Sequence, residues 1–371
     1  MKGIYYYEGI DFSDKNNSGI INKVKNQIKC LKEIGDLTVI GGKGSYGVFD
    51  EIKFVLPIAE SKREKQRNKI LESVTEDTNY IYIRKPSLTK KFYITLKKIK
   101  ERYPRIIIIM EIPTYPFHSE YRGISKIMAI KSINCERKLY KVVDYIATYS
   151  DDKKIWGIKT INLSNCVDYS VIKPRSDKYK PIDKTIRLTC VANFTYWHGI
   201  DRLIKGIKEY CGNYNIVLNL VGGGEEIKNL KELSRNDSRI IFHGPKTGKE
   251  LDELFDKTDI AVDALGRHRS GVYYNSSLKG KEYSARGIPI ISAVRTELDS
   301  FKDYDYYYKY PSNEESININ HLIKYYEKIY SNSQSQKISS IIRNRTKEVF
   351  DYKNGYEQII NDTIIRHNEG K

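Results

Sequence analysis

The sequence predicts an α/β protein of two domains, each built around a parallel sheet with helices on both faces. Its 371 residues are too many for one ordinary core and suit two domains of roughly 150 to 200 residues. Short β-rich runs alternate with longer polar helical stretches, first up to residue 170 and again from residue 185. Between the two series lies a polar segment with two prolines, 171–184, which we interpret as a linker.

The first series contains five predicted strands. The run 106–110 is apolar at every position, as a central strand must be when helices cover both faces of the sheet. A helix is predicted at 19–34, where Ile20, Val24 and Leu31 recur at helical spacing. The predicted strands are 3–7, 37–41, 80–84, 105–111 and 145–148.

The second series repeats the same alternation. Its predicted strands are 186–192, 216–221, 240–243, 260–263 and 288–292, with helices at the spacing of βα units and a helical tail from residue 338. We therefore predict an N-terminal Rossmann-like domain, a linker, a C-terminal Rossmann-like domain and a C-terminal helical segment, at 1–170, 171–184, 185–345 and 346–371.

The charge balance and the hydropathy limit the possible partners. Lys and Arg number 64 against 47 Asp and Glu, so the formal net charge is +17. Such an excess suits nucleic acid, anionic lipid or nucleotide, but its sign alone does not choose among them, and part of it reflects a general over-use of Lys. No stretch approaches the roughly 18 to 20 uninterrupted apolar residues of a membrane span.

The cysteines, the histidines and the N-terminus exclude other classes. Five cysteines at wide spacings, without a Cys-x-x-Cys pair, argue against a disulfide framework and a zinc site. None of the six histidines pairs with another at i, i+2 or i, i+4, so no metal is expected. The N-terminus lacks the apolar region of a signal peptide, which predicts a cytoplasmic protein.

Candidate ligand-binding residues follow the predicted strands, because open α/β sheets bind ligands beyond the carboxyl ends of their strands. A glycine turn, 222–224, follows one strand, although such turns are often purely structural. Arg267 and Arg269 follow another and suit bidentate capture of phosphate oxygens, with a solvated basic loop as the alternative. The Gly-x-Gly-x-x-Gly and Gly-x4-Gly-Lys-Ser/Thr motifs are absent, which disfavours nicotinamide dehydrogenases and P-loop enzymes.

The segment 276–289 carries a specific pattern. A predicted helix bears Lys279 and Glu282 at i, i+3, ends at Gly287 and is followed by Ile-Pro and a strand. This segment resembles the nucleotide-sugar helix of family 4 glycosyltransferases, which have the GT-B fold. The resemblance to their Glu-x-x-Ala-x-Gly-x-Pro pattern implies that Glu282 binds the ribose hydroxyls of the donor, a role that suits a carboxylate.

Other segments resemble the same family in order and spacing. The segments 188–204, 218–224 and 242–246 resemble the first three strand ends of its C-terminal domain, and 111–118 and 165–168 resemble its acceptor-side loop and linker motif. The resemblance implies two Rossmann-like domains that face each other across a cleft, with the C-terminal helix returning to the N-terminal domain. It also implies donor contacts at Ser18, Gly19, Gly223, Gly244 and Lys246.

The sequence departs from the family pattern at the diphosphate site. Tyr274 stands where the first acid of the usual Glu-x7-Glu pair would lie, and His198 replaces a Lys. Since some cation must stabilise the leaving nucleoside diphosphate, we assign it to Arg267, Arg269 and Lys279. His198 and Arg202 are weaker candidates.

Two residues are candidates for the catalytic site, where they would contact the reacting sugar or the acceptor. Glu111 ends a strand, and His118 follows the stiff loop between Pro113 and Pro116; a structural role for either stays open. The family resemblance implies retention of configuration, so the leaving phosphate itself can serve as base and no enzymic nucleophile is assigned.

Taken together, these features predict a metal-independent glycosyltransferase of polysaccharide biosynthesis, such as capsule or exopolysaccharide, that uses a nucleotide-sugar as substrate and no cofactor. The acceptor would be a glycan or a lipid-linked glycan. Basic stretches at 61–69 and 90–102 offer peripheral binding to an anionic membrane surface, although 90–102 can equally pack its apolar face on its own domain. The alternatives are a basic nucleic-acid-binding protein, which lacks a recognition motif here, and a nucleotide-sugar epimerase or sugar phosphorylase on the same fold.

Overall fold

The computed structural model of the chain forms two compact units, Met1–Ser164 with Tyr352–Lys371, and Asn165–Asp351. The residues that it describes are 1–13, 18–41, 62–84, 88–116, 132–176, 181, 183–235, 237–331 and 337–369. No helix in these ranges is both long and apolar enough to cross a membrane.

The first unit is built on a seven-stranded sheet of order β2-β1-β3-β4-β5-β7-β6, parallel except for the antiparallel pair β6 and β7. Its strands are β1 (Lys2–Tyr6), β2 (Asp36–Ile40), β3 (Tyr80–Arg84), β4 (Ile107–Ile112), β5 (Tyr145–Thr148), β6 (Lys154–Ile155) and β7 (Ile158–Asn162). Every residue of β4 is buried, as the apolar run 107–110 predicts for a central strand, and Glu111 is buried with them.

Three helices of the first unit are α1 (Ser18–Ile34), α2 (Lys62–Ser73) and α3 (Lys90–Arg102). Helix α3 begins after Thr89, whose hydroxyl accepts a hydrogen bond from the Phe92 amide. Phe92, Leu96 and Ile99 on its apolar face are buried in the core of the unit. This face therefore packs on its own domain, and only the lysine-rich face of α3 is left for a membrane surface.

The second unit is built on a six-stranded, fully parallel sheet of order β10-β9-β8-β11-β12-β13. Its strands are β8 (Thr185–Val191), β9 (Asn215–Val221), β10 (Ile240–Gly244), β11 (Ile260–Val262), β12 (Ile290–Ser292) and β13 (Tyr307–Lys309). Its helices are α4 (Ile200–Glu209), α5 (Ile227–Leu233), α6 (Gly248–Phe255), α7 (Leu278–Arg286), α8 (Ile319–Tyr330) and α9 (Ile338–Phe350).

The last helix, α10 (Gln358–Glu369), belongs to the first unit. The hydroxyl of Tyr145, on β5, lies 3.0 Å from Nδ1 of His367, and α10 also contacts β7. The expected return of the C-terminal helix to the N-terminal domain is therefore confirmed.

The chain passes between the units at 164/165, before the predicted end of the first domain at 170. Asn165 is buried in the second unit, where its backbone amide donates a hydrogen bond to Oγ of Ser276 at 2.8 Å. Arg175, inside the predicted linker, is buried there too, because its guanidinium donates to the Thr258 carbonyl, Oγ of Ser339 and the Tyr330 hydroxyl. The segment has the polar composition of a linker, but the buried hydrogen bonds of Arg175 pack it against the second unit.

The second sheet reverses its strand order between β8 and β11. From β8 the chain first builds outward through β9 and β10, and then returns to the other side of β8 with β11, β12 and β13. The loops that leave β8 and β11 consequently diverge, which opens a ligand-binding crevice at the carboxyl ends of these strands in folds of this kind.

The two diverging loops touch at Gly199. The Leu265 amide donates to the His198 carbonyl at 2.8 Å, and a Cβ on Gly199 would lie 2.5 Å from the Gly266 nitrogen. Gly199 also has φ +64°, a left-handed conformation that favours glycine.

Gly199→Ala should therefore lower the free energy of unfolding by about 2 to 5 kcal/mol, from the strain of left-handed alanine together with the backbone clash. Gly271→Ala is the matched control, because Gly271 has φ +71° and nothing within 4 Å of an added Cβ. It should cost only about 1 to 2 kcal/mol. Urea denaturation measures both variants, and equal losses would show that the close approach at Gly199 does not matter.

Candidate active site

The start of α7 is fixed at the carboxyl edge of the second sheet by Asp263. This carboxylate, 1% exposed, directly follows β11 and accepts a hydrogen bond from Oγ of Ser277 at 2.8 Å. The same Ser277 hydroxyl accepts from the Gly280 amide and caps the helix. Neither Asp263 nor Ser277 was among the sequence-predicted site residues, although a serine directly before a predicted helix is a recognisable capping signal.

Lys279 lies in the first turn of α7, as the spacing predicts. Its Nζ is 3.6 Å from Oδ1 of Asp263, an ion-pair distance that is too long for a hydrogen bond. The Nζ atom is buried and has no hydrogen-bond partner among the residues that the structure describes. Lys279 is therefore a cation whose hydrogen-bonding capacity is available to an anionic ligand.

The charges of Lys279 and Arg267 both act on His198. Arg267 is 7% exposed, and its guanidinium carbon is 5.7 Å from the centre of the Trp197 ring, an aromatic neighbour that the sequence did not identify. Burial, followed by the charges of Lys279 and Arg267, lowers the pKa of His198 to about 2. The structure thus brings together three of the sequence-predicted diphosphate residues: two cations and a histidine that is neutral at physiological pH.

The orientation of His198 defines which ring nitrogen carries its proton. The Thr195 amide donates to Nδ1 of His198 at 3.0 Å, within a capping box around residues 196–198. Since Nδ1 accepts, the neutral ring carries its proton on Nε2. His198 can therefore donate a hydrogen bond from Nε2 without adding charge.

Arg269 and Arg202 are instead committed to contacts within the protein. Arg269 donates to Asp201 at 2.8 and 2.9 Å and to Glu314 at 2.6 Å. Arg202, 1% exposed, donates to the backbone carbonyls of Leu265, Pro311 and Glu315 and to the side chain of Asn313. These contacts join the loop after β11 to the segment 311–315. We therefore correct the assignment of Arg269 and Arg202 from donor binding to holding this loop in place.

The glycine turn after β9 packs against the loop that leaves β8. Gly222 and Gly224 both have φ +126°, and a Cβ on Gly224 would lie 2.3 Å from the Phe194 carbonyl oxygen. Gly223, whose carbonyl accepts from the Phe194 amide at 2.6 Å, would have nothing within 4 Å of a Cβ. The backbone conformation and the close packing therefore require glycine at 222 and 224, whereas Gly223 borders open space.

The loop after β10 carries two further sequence-predicted residues. Gly244 has φ +66° and open space around its α-carbon, and its carbonyl accepts from the Gly222 amide at 2.8 Å. Lys246 is half-buried and pairs with Glu250 at 3.2 Å. This loop is thus joined to the glycine turn at the same edge of the sheet as His198.

Glu282 lies on α7 one turn beyond Lys279 and is partly exposed, with 35% of its side chain accessible. The position eight residues earlier, where the resemblance expects an acid, is occupied by Tyr274. The Arg295 guanidinium carbon lies 5.6 Å from the centre of the Tyr274 ring. The second unit therefore presents one of the two acids of that pattern, together with an aromatic ring and a cation.

Four of the sequence-predicted site residues belong to the first part of the chain. Ser18 and Gly19 are the first residues of α1, and His118 lies outside the described residues. Glu111 is the penultimate residue of β4 and is fully buried, where it accepts hydrogen bonds from Gln27 and Tyr82 at 2.7 Å each and from Arg84 at 3.0 Å. Both carboxylate oxygens are thus engaged, so the catalytic assignment of Glu111 is corrected to a structural one.

Glu111 is ionised in this buried network. Burial raises its pKa, but the charges of Lys23 and Arg84 and the hydrogen bonds from Tyr82 and Gln27 lower it more, so that its pKa is below the usual value. The carboxylate balances two buried cations at the carboxyl edge of the first sheet.

No group of three or more His, Cys, Asp or Glu side chains is placed to hold a metal ion in the described ranges of the chain. The sheet edge of the second unit instead gathers Arg267, Lys279 and His198 beside glycine-rich loops. That arrangement can bind an anionic group such as a phosphate and stabilise negative charge that develops on it.

Residues 172–337, which lie within the second unit, match the family model of the glycosyl transferases group 1. No curated protein sequence matches the chain.

Solved structures match the whole chain. Sucrose-phosphate synthase from Thermosynechococcus elongatus is 12% identical, with 100% of both chains covered and a TM-score of 0.66. A glycosyltransferase from Rickettsia africae ESF-5 is 14% identical, with 99% of this chain and 98% of that chain covered and a TM-score of 0.62. Anabaena Alr3699/HepE in complex with UDP-glucose is 13% identical, with 100% of both chains covered and a TM-score of 0.61. At these identities the likeness shows the fold, which is the predicted GT-B fold.

Glu111→Gln should lower the free energy of unfolding at pH 7 by about 3 to 5 kcal/mol, because it leaves the buried Lys23 and Arg84 without their anion. The folded-state pKa of Glu111 lies below its unfolded value, so its stabilisation is present above the unfolded pKa and is lost as the pH falls through the folded pKa. The gap between wild type and variant should therefore shrink in acid, starting below about pH 4.3.

Urea denaturation over a pH series measures this gap. Glu101→Gln is the control, since Glu101 is 62% exposed in a surface pair with Lys97 and should change stability by about 0.5 kcal/mol or less. A gap for Glu111→Gln that is absent at pH 7, or that stays constant with pH, would contradict the assignment.

Proposed function

We propose that the chain transfers a sugar from a nucleotide-sugar donor to a glycan or lipid-linked glycan, with the donor bound by the second unit and the acceptor by the first. One observation carries the proposal: two cations and a neutral histidine meet at the strand-order reversal, one helical turn from a partly exposed carboxylate. Cations for a diphosphate and an acid for hydroxyl groups are the two kinds of contact that a nucleotide-sugar needs.

The diphosphate is assigned to Arg267 and Lys279. Both are poorly solvated, which strengthens their attraction for phosphate oxygens relative to a surface lysine. The positive end of the α7 dipole adds to their field, and the Nε2 proton of His198 supplies a further hydrogen bond. Glu282 is assigned to the ribose hydroxyls, and the backbone around Gly223 and Gly244, with Lys246, to the rest of the nucleoside diphosphate.

In the reaction that we propose, the bond between the anomeric carbon and the phosphate oxygen breaks while an acceptor oxygen bonds to that carbon. The acceptor hydroxyl gives its proton to the leaving phosphate. It therefore attacks from the face that the phosphate leaves, and the anomeric configuration is kept. Arg267 and Lys279 stabilise the negative charge that develops on the leaving oxygen and therefore lower the barrier. Because these two cations are already in place, the proposed reaction needs no divalent ion.

The charge of the first unit supports the acceptor and membrane parts of the proposal. The first unit contains 34 Lys and Arg against 22 Asp and Glu, a net charge of +12, whereas the second contains 30 against 25, a net charge of +5. Most of the excess therefore lies in the unit assigned to the acceptor. It suits an anionic polysaccharide precursor or a lipid-linked acceptor at the inner face of an anionic membrane.

Nucleoside diphosphates should raise the melting temperature of the full chain, because a ligand that binds only the folded state stabilises it. We expect a response to one of UDP, GDP, dTDP and ADP, unchanged by EDTA. Lys279→Ala should weaken that nucleotide about tenfold to a hundredfold, the cost of one charge-assisted contact.

The control is Lys257→Ala, which removes an exposed cation before β11, at the opposite edge of the sheet. It should leave the nucleotide affinity unchanged. No response to any nucleotide, together with salt-sensitive binding of nucleic acid, would refute the transferase proposal and favour a nucleic-acid-binding protein.

A further inference from the structure

The two oxygens of the Glu282 carboxylate have different surroundings. Oε1 accepts hydrogen bonds from Nε and Nη2 of Arg286, one helical turn further along α7, at 3.2 and 3.1 Å. Oε2 accepts no hydrogen bond from any residue in the described part of the chain. One oxygen is thus held by the protein, while the other is available to a ligand.

Arg286 is itself held in place. Its Nη1 donates to Oδ1 of Asp252, on α6, at 2.6 Å, and its guanidinium carbon lies 4.5 Å from the centre of the Phe255 ring. Only 8% of the Arg286 side chain is exposed. The guanidinium therefore bridges α6 and α7 and cannot turn away from Glu282 without losing its contact with Asp252.

The bridge also sets the charge that a ligand meets. Asp252 and Glu282 carry two negative charges and Arg286 carries one positive charge, so the cluster keeps a net negative charge. A phosphate would be repelled from the free oxygen, whereas a neutral hydroxyl can donate to it. The same helix thus presents a cation at Lys279 for phosphate and, one turn later, an acceptor for hydroxyl groups.

We propose that Arg286 is a positioning residue that holds Glu282 with Oε2 facing the ribose hydroxyls of the donor, and thereby sets the preference for ribonucleotides over deoxyribonucleotides. This inference rests on the proposed function, because it assigns a ribose to Glu282. Arg286 does not touch the ligand in this arrangement; it acts through the orientation of the carboxylate.

The experiment takes whichever of UDP, GDP and ADP stabilises the full chain and compares its Kd with the Kd of its 2′-deoxy form, by calorimetry; stabilisation by dTDP alone would overturn the inference. Wild type should bind the ribonucleotide about tenfold more tightly, the value of one hydrogen bond to a charged group. Glu282→Gln should abolish most of this preference. Arg286→Met, which keeps a side chain over Phe255, should lower the ratio at least threefold while the deoxy form binds within about twofold of wild type.

Two further variants make the result independent of folding defects. Arg286→Lys should recover part of the ratio. Asp252→Asn keeps the arginine but removes the negative charge that holds it, so it should lower the ratio in the same direction as Arg286→Met. Arg239→Met is the control, because Arg239 forms a comparable pair with Asp237 at 2.7 Å, before β10, and should leave the ratio unchanged.

The failures are distinguishable. If Arg286→Met and Asp252→Asn leave the ratio at its wild-type value, or weaken both nucleotides by the same factor, Arg286 is structural and the inference is overturned while the proposed function stands. If Glu282→Gln leaves the ratio unchanged, the ribose role of Glu282 and the inference fall together. If wild type binds no nucleotide, the proposed function itself is overturned.

Discussion

The buried carboxylate of Asp263 determines where helix α7 begins, and most of the candidate site depends on that starting point. By accepting from the Ser277 hydroxyl and attracting Lys279, Asp263 holds the first turn of α7 at the end of β11. The hydroxyl of Tyr283, on the same helix, accepts from the Val191 amide at the end of β8. The helix is thereby attached to both strands that flank the strand-order reversal.

Once α7 is anchored, helical geometry fixes the order of its functional side chains. Residues three and four apart lie on one face, so Lys279, Glu282 and Arg286 follow one another along the helix. Lys279 lies nearest the carboxyl edge of the sheet, and Arg286 lies deepest, against α6. The site thus presents a cation, then an acceptor, then the support of that acceptor, and a single cap displaced by mutation would shift all three.

The helices and strands could be predicted from the sequence, whereas the partners of individual charged side chains could not. The apolar run 107–110 in β4 and the glycine that ends α7 act through local chemistry, which sequence patterns record well. Arg202, Arg267 and Arg269 were all assigned from the sequence to the same diphosphate, yet Arg202 holds one loop through backbone carbonyls and Arg269 pairs with two acids. Those partners come from residues far along the chain, so no local pattern separates the three.

Glu111 and Glu282 show why burial decides what a carboxylate can do. Both accept from an arginine, and sequence reasoning marked both as functional. Glu111 is sealed in the first unit with two buried cations to neutralise it, so its removal is a question of stability. Glu282 shares one arginine with Asp252, both hydrogen bonds from that arginine fall on one oxygen, and 35% of the side chain is exposed, so negative charge is still available for recognition. A carboxylate with hydrogen bonds to only one of its oxygens can still accept a hydrogen bond from a ligand hydroxyl on the other.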